Sequence, residues 1–318
     1  MIKVATSIVL ISASVNSKAQ LIDNTSTFKN IPAKSYFRFH YDNDFFTKTD
    51  HYYSQGITLE YVHPGLQKFF LSKILVRPVN TLKTTGITFN LFAFTPTSIR
   101  SDSILYGDRP YAAAMSFKIF SKATDTIHQQ QFASSFQLGL IGPLAQGENI
   151  QTSIHRWLHN KLPEGWQYQV QNDIIFNYQL NYEKKIAAIK NGFLINAAAE
   201  ARAGTLQDRL NIGINFMAGH FTDPYQPIKR KKMNYYLFGQ GRINFIGYDA
   251  LMQGGLFNRN NPYIIAAGDI SRITFQADAG LIVNFPGFYL SYTQSFLTKE
   301  FRTGLYHRWG GVSFGFGL

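Results

Sequence analysis

The stretch Ile174-Ile-Phe-Asn-Tyr-Gln-Leu-Asn-Tyr-Glu-Lys184 alternates without a break. Ile174, Phe176, Tyr178, Leu180 and Tyr182 share one face, and Ile175, Asn177, Gln179, Asn181 and Glu183 share the other. Period two is the repeat of a β-strand, whose successive side chains point to opposite sides. The run is as long as the roughly 9–11 residues with which a tilted strand crosses a bilayer. Its apolar face is rich in aromatics and its opposite face is mostly amide and carboxylate. That division suits lipid on one side and a polar lumen on the other.

The same pattern recurs on both sides of this run. Leu210, Ile212, Ile214 and Phe216 oppose Arg209, Asn211, Gly213 and Asn215. Phe275, Ala277, Leu281 and Val283 oppose Thr274, Gln276, Asp278 and Gly280 within 273–285. Phe37, Phe39 and Tyr41 oppose Arg38, His40 and Asp42, while Ile57, Leu59 and Tyr61 oppose Thr58 and Glu60. The chain ends on Val312, Phe314, Phe316 and Leu318 against Ser313, Gly315 and Gly317, as a closing strand would. With further segments near 86–94, 113–120, 132–141, 193–202, 235–245 and 288–293, the total is about twelve, and an even count suits a single-chain outer-membrane barrel. The expected fold is an all-β, transmembrane antiparallel barrel with a short helical insert in an extracellular loop. A secreted β-sandwich is the soluble alternative, with the apolar faces turned into a core.

Composition agrees. Hydrophobic residues make up 45% of the 318-residue chain and charged residues 16%, below the roughly 25% of an average soluble domain. Mean hydropathy is only −0.13, and no segment after the first residues approaches the ~20 apolar residues of a membrane helix. The 28 Phe and 18 Tyr exclude a disordered chain. Cysteine is absent, which removes thiolate metal sites, cysteine nucleophiles and disulfides.

Residues 1–19 read as a signal peptide, with Lys3, an apolar run over 4–15 and a small–x–small Ser17-Lys18-Ala19. The remainder, 20–318, reads as one barrel domain, expected to act as a monomer. The net charge of +12 comes from 31 basic and 19 acidic residues. Losing Lys3 and Lys18 leaves 29 against 19, or +10. An exported chain does not meet nucleic acid, so the excess points to phosphate groups on envelope lipids.

Two stretches interrupt the alternation, the polar loop 95–110 and the segment 142–168, which holds a helix-like run over 149–159. Long loops with structure of their own are usually functional. By parity, Asp44 follows His40 and Asp42 to the lumen side, and Ser54 follows Thr58 and Gly56 there. Together they face one volume at the outer rim. A carboxylate there can hold a hard cation, and a Ser54 hydroxyl or Asn43 amide can donate to an oxyanion. A hydrated polar lumen without chemistry accounts for the same residues. His155, on the helix-like run, is a candidate general base. His159 follows one turn on, and His-x-x-x-His lacks an evident third zinc ligand.

Taken in order, these residues carry a resemblance. Asn43-Asp44, Tyr53-Ser54-Gln55-Gly56, Gly107-Asp108-Arg109-Pro110-Tyr111-Ala112, Gly142-Pro143, Gln151, His155, Gly165-Trp166 and Glu300-Phe301-Arg302-Thr303-Gly304 follow one another along nearly the whole chain. The set resembles the outer-membrane lipid A 3′-O-deacylase family. The resemblance implies a twelve-stranded barrel with its site between barrel wall and outer leaflet. It also implies calcium-dependent hydrolysis of the 3′ ester-linked acyl chains of lipid A. On that reading His155 activates water, Asp44 lies at the calcium, and Asn43 and Ser54 complete the catalytic set. The chain departs from the family in two places. Arg100 stands where the family has a lysine, with no lysine between Lys83 and Lys118, and His51 stands where it has a glycine ahead of Ser54. Arg100 is then the residue to hold a lipid A phosphate, although an arginine is not an equivalent donor. No Gly-x-Ser-x-Gly elbow marks Ser54 as a nucleophile. The rival readings are an outer-membrane phospholipase and a non-enzymatic pore or adhesin.

Overall fold

The computed structural model describes residues 24–47, 51–189, 192–227 and 233–318. The expected signal peptide lies outside the described residues. Among these, twelve strands form one closed antiparallel barrel: β1 (Tyr36–Asn43), β2 (Tyr52–Val62), β3 (Leu82–Thr95), β4 (Ala112–Asp125), β5 (Gln130–Ile141), β6 (Asp173–Ile189), β7 (Phe193–Gly204), β8 (Gln207–His220), β9 (Asn234–Asp249), β10 (Ile273–Phe285), β11 (Phe288–Leu297) and β12 (His307–Gly317). Each strand pairs with its sequence neighbours, and β12 closes on β1 from Tyr36↔Gly317 to Asn43↔Gly310. Two short helices, α1 (Gly147–Trp157) and α2 (Ala250–Gln253), lie in connections. No described helix is long and apolar enough to cross a membrane; in the closed barrel every strand finds its backbone partners on its two neighbours, as spanning strands must.

The period-two faces separate as the sequence predicts. Along β6, outward Ile174 and Phe176 are 45% and 44% exposed, while inward Asn177 and Gln179 are 3% and 4% exposed. The turns at 126–129 and 286–287 are short, whereas the connections at the opposite end, 96–111, 142–172, 250–272 and 298–306, are long. Short turns face the periplasm in outer-membrane barrels, which places the long connections outside.

Side chains fill the middle of the lumen, and a cavity of about 440 Å³ remains at its periplasmic end, lined by Thr27, Lys122, Gln131 and Tyr236. Ion pairs line the lumen along neighbouring strands: Arg38–Glu60 at 2.6 Å, Arg202–Glu200 at 3.2 Å and Arg242–Asp278 at 3.4 Å. From the periplasmic end the segment 24–31 enters the barrel and is buried along almost its whole length. Phe28 stacks on Phe238, with centroids 4.5 Å apart. The carbonyl of Phe28 accepts from the Tyr236 hydroxyl at 2.7 Å, and that of Lys29 accepts from Arg38 at 2.8 Å. Thr27 donates to Glu183 through its backbone N–H and its hydroxyl. Phe28→Ala is expected to destabilise the barrel by about 3–5 kcal/mol, the usual cost of deleting a buried Phe. Chemical denaturation in lipid vesicles checks this, and an unchanged midpoint would mean the segment adds nothing to stability. A lumen so filled is also expected to give no porin-like steps in a planar bilayer.

Candidate active site

The outer wall of β1–β4 at the extracellular end gathers most of the predicted residues. Asn43, the last residue of β1, continues the outward face of Phe37, Phe39 and Tyr41. Its amide nitrogen donates to the Ser54 carbonyl and to the Tyr41 hydroxyl, and its Oδ1 accepts from Phe45 N–H at 2.7 Å. Asn43 therefore ties the end of β1 to β2 and to the turn that follows.

Ser54 corrects the expectation from parity. A β-bulge lies between Tyr53 and Gln55, where Tyr53 pairs with Phe94 and Gln55 with Ala93. Bulging adds a residue and resets the alternation. Tyr53 turns inward to pack with Phe94 and Trp309. Gln55 shares the outward face of its partner Ala93, and the Ser54 hydroxyl meets that of Thr95, next outward on β3, at 2.8 Å. Ser54 thus faces the wall and not the lumen. Asp44 leaves the strand to open the 3-10 turn Asp44–Thr47, so the lumen parity assigned to it no longer applies. It is 5% exposed.

Helix α1 lies against this same wall. Outward Ala93 and Ala113 form a cluster with Ala145, Tyr111 and Trp166. Ala93 and Thr95 are two residues apart on one face of β3, roughly 7 Å. The helix base and the Ser54–Thr95 pair are therefore neighbours. The close approach requires glycine at 147, where an added Cβ would stand 2.4 Å from the Ala113 Cβ. Gly142, at φ +101°, makes the turn out of β5 that only glycine adopts without strain. Gln151 sits one turn after Gly147 and accepts from the Trp166 indole N–H at 2.7 Å. His155 lies a further turn along that face, half-buried. Burial pushes the Tyr111 phenol up to about 12, so it stays a neutral part of this support. On the far side of the helix segment Trp157, Leu158 and Leu162 are exposed, as residues dipped into an outer leaflet would be.

His155 Nδ1 lies 2.5 Å from the Lys161 carbonyl oxygen. A carbonyl only accepts, so Nδ1 carries the proton. Neutral His155 then holds its lone pair on Nε2. His159 does not share the helix face predicted for it. The helix ends at Trp157, and His159 at φ 55° reverses the chain so that Lys161 can reach back. The reversal positions the base, and a His155–His159 metal pair is not formed.

Arg100 is exposed on the 96–111 loop. That loop is tied to the segment after α1 by the Glu164 N–H to Ile99 carbonyl bond at 2.9 Å. The remaining motif residues hold loops. Asp108 accepts from Thr97 N–H at 2.9 Å, and its carbonyl accepts from the Tyr263 hydroxyl at 2.8 Å. Arg109 forms a buried pair with Glu300 and stacks over the Phe94 ring at 4.0 Å. Thr95 and the Lys161 carbonyl escape sequence reasoning. Neither carries a motif signal, though the Gln151–His155 spacing marks the helix face that matters.

Among the described residues no three acidic, histidine or cysteine side chains gather as a metal cluster. The 44–47 turn carries or adjoins oxygen donors only: the Asp44 carboxylate on its first residue, and the Asp44 and Arg308 carbonyls, which both accept from the Thr47 hydroxyl at 2.9 Å. An all-oxygen set with one carboxylate suits a hard cation that completes its shell with water or substrate oxygens. Separately, His40 lies 2.6 Å from Ser313 Oγ and 2.6 Å from Asp42 Oδ1. This Ser–His–Asp set is sealed inside the barrel wall. A Cβ added at Gly311 would stand 2.2 Å from Asp42 Oδ1 and 2.8 Å from His40 Cε1, which leaves no room for a substrate carbonyl.

A closed twelve-stranded barrel with polar side chains inside and a helix laid on its outer wall defines an outer-membrane barrel protein. The family described as Outer membrane protein LpxR matches residues 4–318, and the chain belongs to that family. Membership makes it an outer-membrane protein of lipid A modification. Among solved structures it is similar to LpxR from Salmonella typhimurium, with TM-score 0.74 and 17% identity over 89% of this chain and 100% of that one. The β domain of the Bordetella autotransporter BrkA aligns with TM-score 0.48 and 6% identity over 90% of this chain and 100% of that one. No curated protein matches by sequence comparison.

Proposed function

We propose that the protein hydrolyses the 3′ ester-linked acyl chains of lipid A with a water activated by His155. The observation that carries this reading is the fixed tautomer: the Lys161 carbonyl holds Nδ1–H and leaves Nε2 as the base. The helix bearing it lies on the outer wall at the extracellular end, the level at which lipid A esters lie. His155 Nε2 removes a proton from water as it adds to the ester carbonyl, and returns it to the departing sugar oxygen. Ser54 donates its hydroxyl toward the developing oxyanion. Asn43 holds Ser54 in place through its carbonyl. The Asp44 carboxylate would hold calcium, which when bound supplies Lewis-acid polarisation of the ester carbonyl. Arg100, exposed beside the segment that follows α1, would engage a lipid A phosphate.

A direct-water mechanism is favoured over a serine nucleophile because the Ser54 hydroxyl pairs with Thr95 and with no histidine. Ser54→Ala is expected to lower the rate by about 10²–10³-fold, the cost of one oxyanion donor, and Ser54→Thr to recover much of it. A serine-directed phosphonate should leave Ser54 unlabelled. An acyl-enzyme trapped on Ser54 would move the protein to covalent catalysis. Incubating the purified barrel separately with lipid A and with glycerophospholipids tests the substrate class, and release of fatty acid from the phospholipid alone would make it a phospholipase.

A further inference from the structure

The connection 63–81 between β2 and β3 is long for the periplasmic end and carries no acidic residue, only Lys68, Lys73 and Arg77. It does not hang below the barrel. It forms two 3-10 turns, Pro64–Lys68 and Phe70–Ile74, and packs against the outside of the wall. The Tyr178 hydroxyl, on the outward face of β6, donates to the Ile74 carbonyl at 2.9 Å and accepts from Val76 N–H at 3.1 Å. Outward Ser134 of β5 donates to the Val76 carbonyl at 2.8 Å.

The wall beneath is built for this cover. Thr85, Ser121 and Ser134 pair across β3, β4 and β5 on the outward face. They are small and polar where outward neighbours such as Phe117, Leu138 and Phe176 are large and apolar, and each is at most 1% exposed. The upper surface of the connection replaces the apolar wall it hides, since Phe69, Phe70, Ile74, Val76 and Val79 are exposed there. Lys68, Lys73 and the adjoining Lys83 of β3 are exposed beside them.

β4 bounds its distance from α1. Outward Ala113 lies under α1 and outward Ser121 lies under the connection, with outward Ile119 already buried. Between Ala113 and Ile119 only Met115 and Phe117 remain outward for lipid. Six residues of a tilted strand climb about 15 Å, less than the ~25 Å apolar band of such barrels. The apolar band therefore extends over α1, the connection or both, and the exposed Phe69, Phe70, Ile74, Val76 and Val79 give the connection the apolar free surface of a segment in the periplasmic leaflet.

We infer that the 63–81 connection is a binding surface for anionic glycerophospholipid of the periplasmic leaflet, its aromatic and aliphatic side chains among the acyl chains and its lysines at the headgroup phosphates. The case rests on charge complementarity and depth: a strap of one sign, apolar on its free side, at the level where phosphates lie. Lysine stems reach along apolar surface and leave the ammonium at the interface. The inference is independent of which ester the extracellular site cleaves.

The test places a reporter tryptophan at Phe70→Trp in the full-length barrel, reconstituted in vesicles with brominated phosphatidylglycerol or brominated phosphatidylcholine. Emission is read as the difference from the parent protein with its three tryptophans. The added emission should be quenched by both lipids and several-fold more strongly by the anionic one. Each basic residue near an anionic surface contributes up to about fivefold. In the same protein carrying Lys68→Gln, Lys73→Gln and Lys83→Gln, quenching should persist while the preference falls to unity. Equal quenching by the two lipids before the lysines are changed would overturn the inference. So would absence of quenching, or quenching lost as cross-linked dimers form at high protein-to-lipid ratio. Val79→Trp provides the same reading if Phe70→Trp fails to fold, and heat-modifiable migration verifies folding of each variant.

Discussion

His155→Ala leaves a folded barrel and lowers ester hydrolysis by about 10²–10⁴-fold, the range lost with a general base. Folding survives because His155 is half-buried on a helix outside the barrel, and no strand pairing depends on it. The loss falls on the chemical step, because Nε2 acts as water adds to the carbonyl and not as lipid binds. The expected kinetic result is a fall in kcat with little change in KM. His155→Gln should not restore the rate, since an amide accepts a hydrogen bond without removing a proton. Wild-type turnover by a heat-modifiable His155→Ala protein would take His155 out of the mechanism.

Removing the cation is expected to have an effect of similar size. Chelator should stop hydrolysis, and calcium should restore it. Magnesium should restore it poorly, because it demands tight octahedral geometry that a single carboxylate with carbonyls and water does not impose. Asp44→Ala should match the chelated wild type and gain nothing from added calcium. Polarising the carbonyl contributes several kcal/mol, which corresponds to about 10²-fold or more in rate. Asp44 opens a 3-10 turn and pairs in no strand ladder, so its replacement is expected to spare the barrel. Full activity in excess chelator would remove both Asp44 and the cation from the account.

The barrel was legible in the sequence because its signal is repeated and physical. The alternation of 174–184 reappears as exposed and buried faces of β6, and the final alternating strand closes on β1 as a terminal strand should. Individual site residues were less legible. Parity places Ser54 in the lumen, and one bulged residue places it on the wall, where the resemblance had set the site. A bulge leaves no mark in a stretch such as Tyr-Ser-Gln-Gly, because every residue there tolerates either face. The base was readable as a histidine on a helix, but its tautomer is set by the Lys161 carbonyl, a backbone atom that residue type does not reveal. The plug at 24–31 was not anticipated, since its partners Phe238, Tyr236 and Glu183 lie more than 150 residues away. The Gly-Asp-Arg and Glu-Phe-Arg motifs read as one signature because Arg109 and Glu300 meet inside the barrel.

Mass spectrometry of lipid A from cells expressing the wild-type protein or His155→Ala tests the central claim most directly. The wild type should yield lipid A lighter by the 3′-linked acyl chain or chains, with the other ester positions intact, and the variant should yield lipid A of full mass. Unaltered lipid A in cells whose outer membranes hold the folded wild-type barrel, with calcium present, would contradict it.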